Sequence, residues 1–324
     1  HGVLPAQGHP RDTRKGPLSA RRIPFVTADA SRSPPPTGLD LVALMPALFV
    51  LIWSTGFIVA RLGMPHAPPM TFLCWRYALS VAGLAVWAWW ARATWPSTPG
   101  AWLHLAVTGV LLQAGYLGGV WSAVKLGLSA GTTALIVCLQ PVLTAIFLEL
   151  HGGRGRVRPL QWTGLACGLA GVLVVVWDKL GLGEVHALNL GLAVLALVSI
   201  TAGTLYQKQY VGSTDVRSAG VVQMGAALLV SLPLSQMETE VIDWHPNLVL
   251  ALAWSVLALT MGANSLLYLL IQRGAAMKVA SLFYLVPPCT ALMAWALFAE
   301  PLSWGLFLGF GLAALGVALV QRSR

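Results

Sequence analysis

Charge is scarce in this sequence, and negative charge scarcest of all. Among 324 residues there are 20 Lys and Arg and 11 Asp and Glu, 10% together, where an ordinary soluble domain carries about 25%. With 57% of residues hydrophobic, no soluble core of this length could hide the apolar surface, so the solvent for most of the chain is lipid. Cysteine is sparse too. Cys74, Cys138, Cys167 and Cys289 each lie inside an apolar run and none has CxxC spacing, which gives neither a disulfide framework nor a metal site. A membrane enzyme would need a cluster such as HExxH, a GxSxG elbow or paired carboxylates, and none of these is expected here. The sequence has no HExxH, and no Asp or Glu falls in the middle of an apolar run. An enzyme is therefore set aside, and no cofactor is implied. The roughly 10-residue alternating segments of an outer-membrane barrel are missing as well, because the apolar runs are helix-length.

Ten such runs are present, near 41–62, 69–91, 101–123, 129–149, 160–177, 188–208, 217–236, 248–271, 276–298 and 302–320. Each is long enough to cross a hydrocarbon core at about 1.5 Å per residue. The expected fold is an all-α membrane protein of ten transmembrane helices with short loops. Residues 1–40 are a different material, rich in Arg, Pro and Ser and without apolar period, and read as a disordered basic cytoplasmic tail. The tail has no hydrophobic stretch of the kind a secretory signal needs, and Asp12, Asp29 and its prolines argue against a transit peptide.

The net charge of +9 does not point to nucleic acid, because of where the charges lie. With ten crossings the loops alternate sides. The tail, the loops after the second, fourth, sixth and eighth runs, and the C-terminus hold 16 of the 20 Lys and Arg. The opposite side has Arg61, Lys125 and Lys179, together with the acidic segment from Glu238 to Asp243. This is the positive-inside bias with both termini cytoplasmic. Trp87, Trp89, Trp90, Trp95 and Trp102 then form an aromatic belt at the cytoplasmic interface.

The apolar text also repeats. SAGTTALIVCLQPVLTAIF (129–147) aligns without a gap on AAMKVASLFYLVPPCTALM (275–293), 146 residues later, so that Pro141 falls on Pro287 and the Thr144–Ala145 pair on Thr290–Ala291. A proline at matching midpoints of two hydrophobic runs points to a duplicated transporter. Five crossings per copy make the second copy enter from the opposite face, so the repeats, 41–177 and 188–320, are inverted about an axis in the membrane plane.

WSTGFIVARLG (53–63), PMTFLCWRYAL (69–79) and YLGGVWSAVKLGLSAGTTALIVCLQPVLTAI (116–146), followed by the stretch beginning NSLLYLLIQRGAAMKVASLFYLVPP at Asn264, resemble the EamA modules of the drug/metabolite transporter superfamily over about 41–320. The resemblance implies a ten-helix exporter or facilitator of small metabolites, such as amino acids, with a cavity between the two halves. It also gives the family's acidic residue after the proline-bearing helix a counterpart in Glu300. The first half departs from the pattern here, since the equivalent place lies near Arg154.

Several residues could carry transport. Pro141 and Pro287 each remove a backbone donor and crowd the carbonyl four residues earlier. The expected result is a kink whose freed carbonyls, at Val137 and Phe283, line a cavity beside Gln140 and Tyr284; a bend with no ligand is the other reading. Arg76 is the charged side chain set well inside a run, and burying it costs at least about 2.5 kcal/mol. It either binds an anionic group of the substrate or pins helices together. Trp53, Ser54, Gln113, Tyr116, Tyr206, Asn264 and Tyr268 supply further polar groups at depth, each of which could equally be an interhelical hydrogen bond.

With no deep carboxylate to meet a cationic drug, the substrate expected is small and neutral or zwitterionic, an amino acid foremost. It would be exported, or its diffusion facilitated, by alternating access between the repeats. The setting expected is a bacterial inner (plasma) membrane, the partners being the substrate and the bilayer, and the protein either a monomer or a dimer. A non-transporting or lipid-flipping subunit is the alternative, with a cationic-drug/proton antiporter behind it. The charge pattern makes a direct prediction. A reporter active only outside the cytoplasm should stay silent when fused after Arg324 and give strong signal after Glu238. The reverse pattern would overturn both the orientation and the number of crossings.

Overall fold

The computed structural model describes residues 41–150, 159–181, 183–212, 214–263, 266 and 285–322, and among them every regular element is helical. In chain order these are α1 (Leu41–Gly63), α2 (Pro69–Trp90), α3 (Pro99–Lys125), α4 (Ala130–Val137), α5 (Gln140–Leu150), α6 (Pro159–Gly181), α7 (Ala187–Tyr210), α8 (Val216–Ser235), α9 (Pro246–Ala263), α10 (Val286–Phe298) and α11 (Trp304–Arg322). Seven stretches within α1, α2, α3, α6, α7, α8 and α9 are long and apolar enough to cross a membrane; Ala130–Thr144, Val286–Phe298 and Trp304–Gly316 are apolar but shorter. The 1–40 tail and the Arg154 loop lie outside the described residues, as do the end of the eighth expected run and the start of the ninth.

Local sequence explains where the helices begin. Thr98 caps α3 by accepting from the Ala101 N–H at 3.2 Å, and Pro99 follows it at a position where a missing donor costs nothing. His245 and Pro246 repeat the arrangement at α9. His186 and Asn189 form a reciprocal capping box at α7. Large apolar side chains such as Trp89, Trp177, Leu229 and Phe307 point outward, as helices bathed in lipid require.

Much of the helix packing between the halves is matched when the helices of one half are exchanged for those of the other. The pairs α2–α8 and α6–α11 each join corresponding helices, and α10, the counterpart of α5, packs on α4. Further contacts between the halves come in matched couples: α1 with α10 and α7 with α4–α5, α3 with α7 and α9 with α1, α3 with α8 and α9 with α2. Two departures from regular helix fall in matching places as well. In α3 the turn Val110–Gly115 is widened to π geometry, and in α9 so is Ser255–Ala263. The 146-residue displacement that aligns the prolines carries the first of these into the second.

The expected kink at Pro141 is a full break. The helix stops at Val137, turns through Cys138 and Leu139, and restarts with Gln140–Pro141. Pro287 is likewise the second residue of α10, after Val286. A proline tolerated at the first turn of a new helix relieves the clash that a continuous helix would suffer.

The α6–α11 pair is held by close backbone approach. A Cβ built at Gly171 would run into the Gly309 carbonyl, and one at Gly316 into the backbone of Gly164 and Gly168, whereas nothing lies near one at Gly311. Small residues let helices meet in lipid, where no hydrophobic force drives them together. Gly316→Val should therefore lower stability by about 1–3 kcal/mol, read as a fall in melting temperature in detergent, while Gly311→Val on the same helix leaves it unchanged. Equal behaviour of the two variants would contradict this packing.

Candidate functional site

Arg76 lies two turns into α2, 6% exposed. Its Nε is buried without a hydrogen-bond partner among the described residues, and no carboxylate of those residues pairs with it. The groups that act on it electrostatically are the hydroxyls of Tyr77 and Tyr116. Tyr77, also fully buried, donates its hydroxyl to the Gln113 carbonyl at 2.9 Å. That carbonyl belongs to the π turn of α3, where the widened ladder leaves oxygens poorly served by the helix itself. Arg76, Gln113 and Tyr116 are thus brought together, with Tyr77 as the member that sequence reasoning passed over.

The second π turn is satisfied in the same way by side chains. Thr260 donates to the Ser255 carbonyl at 3.0 Å and lies 3.4 Å from the Ser80 hydroxyl of α2, one turn along from Arg76. The Ser255 hydroxyl is itself buried and has no partner among the described residues.

Ser54 is fully buried and bridges the halves. Its hydroxyl donates to Val50 O at 2.7 Å and lies 3.4 Å from Val286 O, the residue before Pro287, while Thr290 Oγ1 donates back to Ser54 O at 3.3 Å. At the other proline, Gln140 Nε2 donates to Thr204 Oγ1 of α7 at 2.9 Å. Each proline end is therefore bonded to the first helix of the opposite half. Trp53 packs its ring on Phe49, centroids 5.4 Å apart. Tyr206 is joined to His104 of α3 at 2.8 Å and lies tilted against the rings of His104 and Tyr210, which stack on each other. Asn264, Tyr268 and Tyr284 lie outside the described residues.

The run Gly127-Leu128-Ser129-Ala130-Gly131 has the GxSxG spacing of a nucleophile elbow, but its serine is a helix cap. Ser129 Oγ accepts from the Thr132 N–H at 3.4 Å and lies 2.8 Å from the Thr132 hydroxyl.

Charge gathers where the connections after α1, α3, α6, α8 and α10 meet, here called the acidic end. Glu238 accepts from the Met70 and Thr71 N–H groups at 2.8 Å each, capping α2. Lys125 pairs with Glu240 at 2.5 Å and donates to Met64 O at 3.0 Å. His66 Nδ1 meets Asp243 Oδ2 at 3.1 Å, and Arg61 Nε approaches Glu300 at 3.5 Å. All of these ties but the Lys125–Met64 bond cross between the halves. At the opposite end the links found between the halves carry no ion pair: Ser218 donates to Thr94 O at 2.7 Å and Arg217 lies 5.7 Å over the Trp87 ring. Arg217 also grips Asp215 with two bonds of 3.0 and 2.9 Å, which holds that carboxyl below the usual carboxylate range.

The sequence model of the EamA-like transporter family matches the chain twice, over residues 41–177 and 188–322. An "uncharacterized inner membrane transporter YedA" of Escherichia coli K12 is 30% identical over 287 residues, 87% of this chain and 91% of its own length. A "probable amino-acid metabolite efflux pump" of the same organism is 24% identical over 285 residues, 85% of this chain and 92% of its own. A solved crystal structure shares the fold, with a TM-score of 0.59 at 19% identity, over 86% of this chain and 97% of that one. With the duplicated sequence and the exchanged packing of its halves, the chain belongs to the EamA-like transporter family.

Proposed function

We propose that the protein is a ten-crossing carrier of small zwitterionic metabolites, amino acids foremost. Its two five-helix repeats, 41–177 and 188–320, are inverted about an axis in the membrane plane and expose a shared cavity to each side in turn. The printed names of the relatives, an inner-membrane transporter and an amino-acid metabolite efflux pump, support export or facilitated diffusion across a bacterial inner membrane. The charge distribution supports cytoplasmic termini, which puts the acidic end outside.

The observation that carries the reading is Arg76, a buried cation with no carboxylate partner among the described residues. Buried in α2, it leaves a positive potential inside a low-dielectric bundle. A substrate carboxylate would compensate it. The ammonium group of an amino acid asks for carbonyl and amide oxygens instead of a second charge, and Gln113 and Gln140 offer them. A cation without an acidic group would meet repulsion, which separates this reading from cationic-drug exchange. The ties between halves, ion-paired at one end and without an ion pair at the other among the described residues, support rocking of one repeat against the other.

Arg76→Gln should lower uptake of a labelled neutral amino acid into proteoliposomes by about ten- to a hundredfold, the worth of a charged hydrogen bond, with folded yield and melting temperature unchanged. Arg76→Lys should keep part of the activity, since the charge remains while the planar fork is lost. A collapse of folded yield in Arg76→Gln would make the residue a structural pin, and unchanged transport at equal yield would remove it from the site.

A further inference from the structure

Glu300 is placed by a strained piece of backbone. The last residue of the α10 cap, Ala299, sits at φ 54° and ψ 31°, a left-handed conformation that normally falls to glycine. The turn it makes folds Glu300 back, its N–H reaching Ala294 O at 3.4 Å. The carboxylate enters a small cleft lined by Ser129, Gly131, Lys179, Ala291 and Leu302. The cleft joins the two repeats: α4 and α6 belong to the first, and α10 and α11 to the second.

The charges around it do not match it well. Arg61 of α1 stands 3.5 Å away, but its side chain is 42% exposed where that of Glu300 is 14% exposed. A solvated cation facing a buried anion without a hydrogen bond is a weak partner. The buried cation of α6, Lys179, is already committed to Glu184 at 3.0 Å. On α4 the Ala130 N–H faces the carboxyl. Glu300 Oε1 remains buried with no hydrogen-bond partner among the described residues. An acceptor-only oxygen left in that state is costly, whereas a protonated carboxyl is neutral and is itself a donor.

We propose that Glu300 is a proton-binding switch of the acidic end: protonated, it stabilises the closed cleft between the repeats, and ionised, it favours the open one. Burial raises its carboxyl above the ordinary carboxylate range, and Arg61, the Ala130 N–H and Lys179 pull it back without cancelling the rise. The sign follows by linkage. A carboxyl whose affinity for a proton is higher in the closed state than in the solvated open state favours closure at low pH. It releases that preference as pH climbs from the open-state value to the closed-state value. A latch made simply by the Arg61–Glu300 ion pair would do the opposite and open in acid. In a carrier whose acidic end faces outside, acid outside would hold that face shut.

The test needs no substrate, so it stands whether or not the carrier takes amino acids. Leu302→Cys puts a thiol in the cleft, and its rate of labelling by a small hydrophilic maleimide is followed from pH 5 to 8 in detergent, against the parent as background. The same measurement on Leu302→Cys with Glu300→Gln, whose amide mimics the protonated acid, supplies a ratio in which the titration of the thiol itself cancels. The ratio of the Glu300 protein to the Glu300→Gln variant should rise with pH, by up to about tenfold per unit, and then level off. Adding Arg61→Ala should extend the rise to higher pH, because an attraction that favours the anion is gone. A ratio that stays flat, or one that falls as pH rises, would overturn the proposal, as would an unreactive cleft thiol at every pH. Monodisperse elution of each variant confirms that folded protein is being compared.

Discussion

In a hydrocarbon solvent every backbone donor and acceptor must be satisfied from within the protein, and the rest of this structure depends on how that constraint is met where the helices are irregular. Regular α-helix satisfies it automatically, and the lipid-facing lengths of the bundle are regular. Among the described residues, departures include the π turns in α3 and α9, the restart at Pro141 and the start of α10 at Pro287. At each of these four a side chain takes up or adjoins the altered backbone: Tyr77 at Gln113, Thr260 at Ser255, Thr144 at Gln140, Ser54 at Val286. The polar residues of the candidate site are therefore part of the fold's own hydrogen-bond accounting. Arg76 Nε is one of the buried polar atoms left without a hydrogen-bond partner among the described residues, and the proposed substrate site is built on it.

The two halves meet this constraint through each other. Gln140, on a first-half helix, bonds to Thr204 of the second half, and the Val286 carbonyl at the second proline is met by Ser54 of the first. Such exchange ties the proline ends of each repeat to the first helix of the other. The charges complete the arrangement. Ion pairs and a carboxylate helix cap lock one end across the halves, while aromatic and hydroxyl contacts link them at the other.

Much of this was legible in the sequence. The apolar runs, the matched prolines and the isolation of Arg76 are one-dimensional features, because lipid forbids charge and irregular backbone unless something demands them. The π turns were not legible. Val110–Gly115 carries no proline, its Gln113 reads as a polar site candidate and not as a helix irregularity, and neighbours crowd both its ends, Gln223 at Gly109 and Ser199 at Gly115. Tyr77 was hidden in plain sight beside Arg76, since nothing in sequence says that its hydroxyl reaches α3. Lys179 was read as an outer-side marker of topology, yet it is 1% exposed and paired with Glu184. The break at Pro141 was anticipated as a bend because sequence locates a proline but not the two turn residues, Cys138 and Leu139, that let the helix restart.

The claim on which function rests is that a buried guanidinium selects substrates by their carboxylate. Counterflow in proteoliposomes tests it most directly, with a labelled neutral amino acid inside and out and two unlabelled competitors: the same amino acid, and the amine that lacks its carboxyl group. The expected result is saturable counterflow abolished by the amino acid and untouched by the amine. Equal competition by both, or flux no greater than in protein-free liposomes across the neutral amino acids, would contradict it.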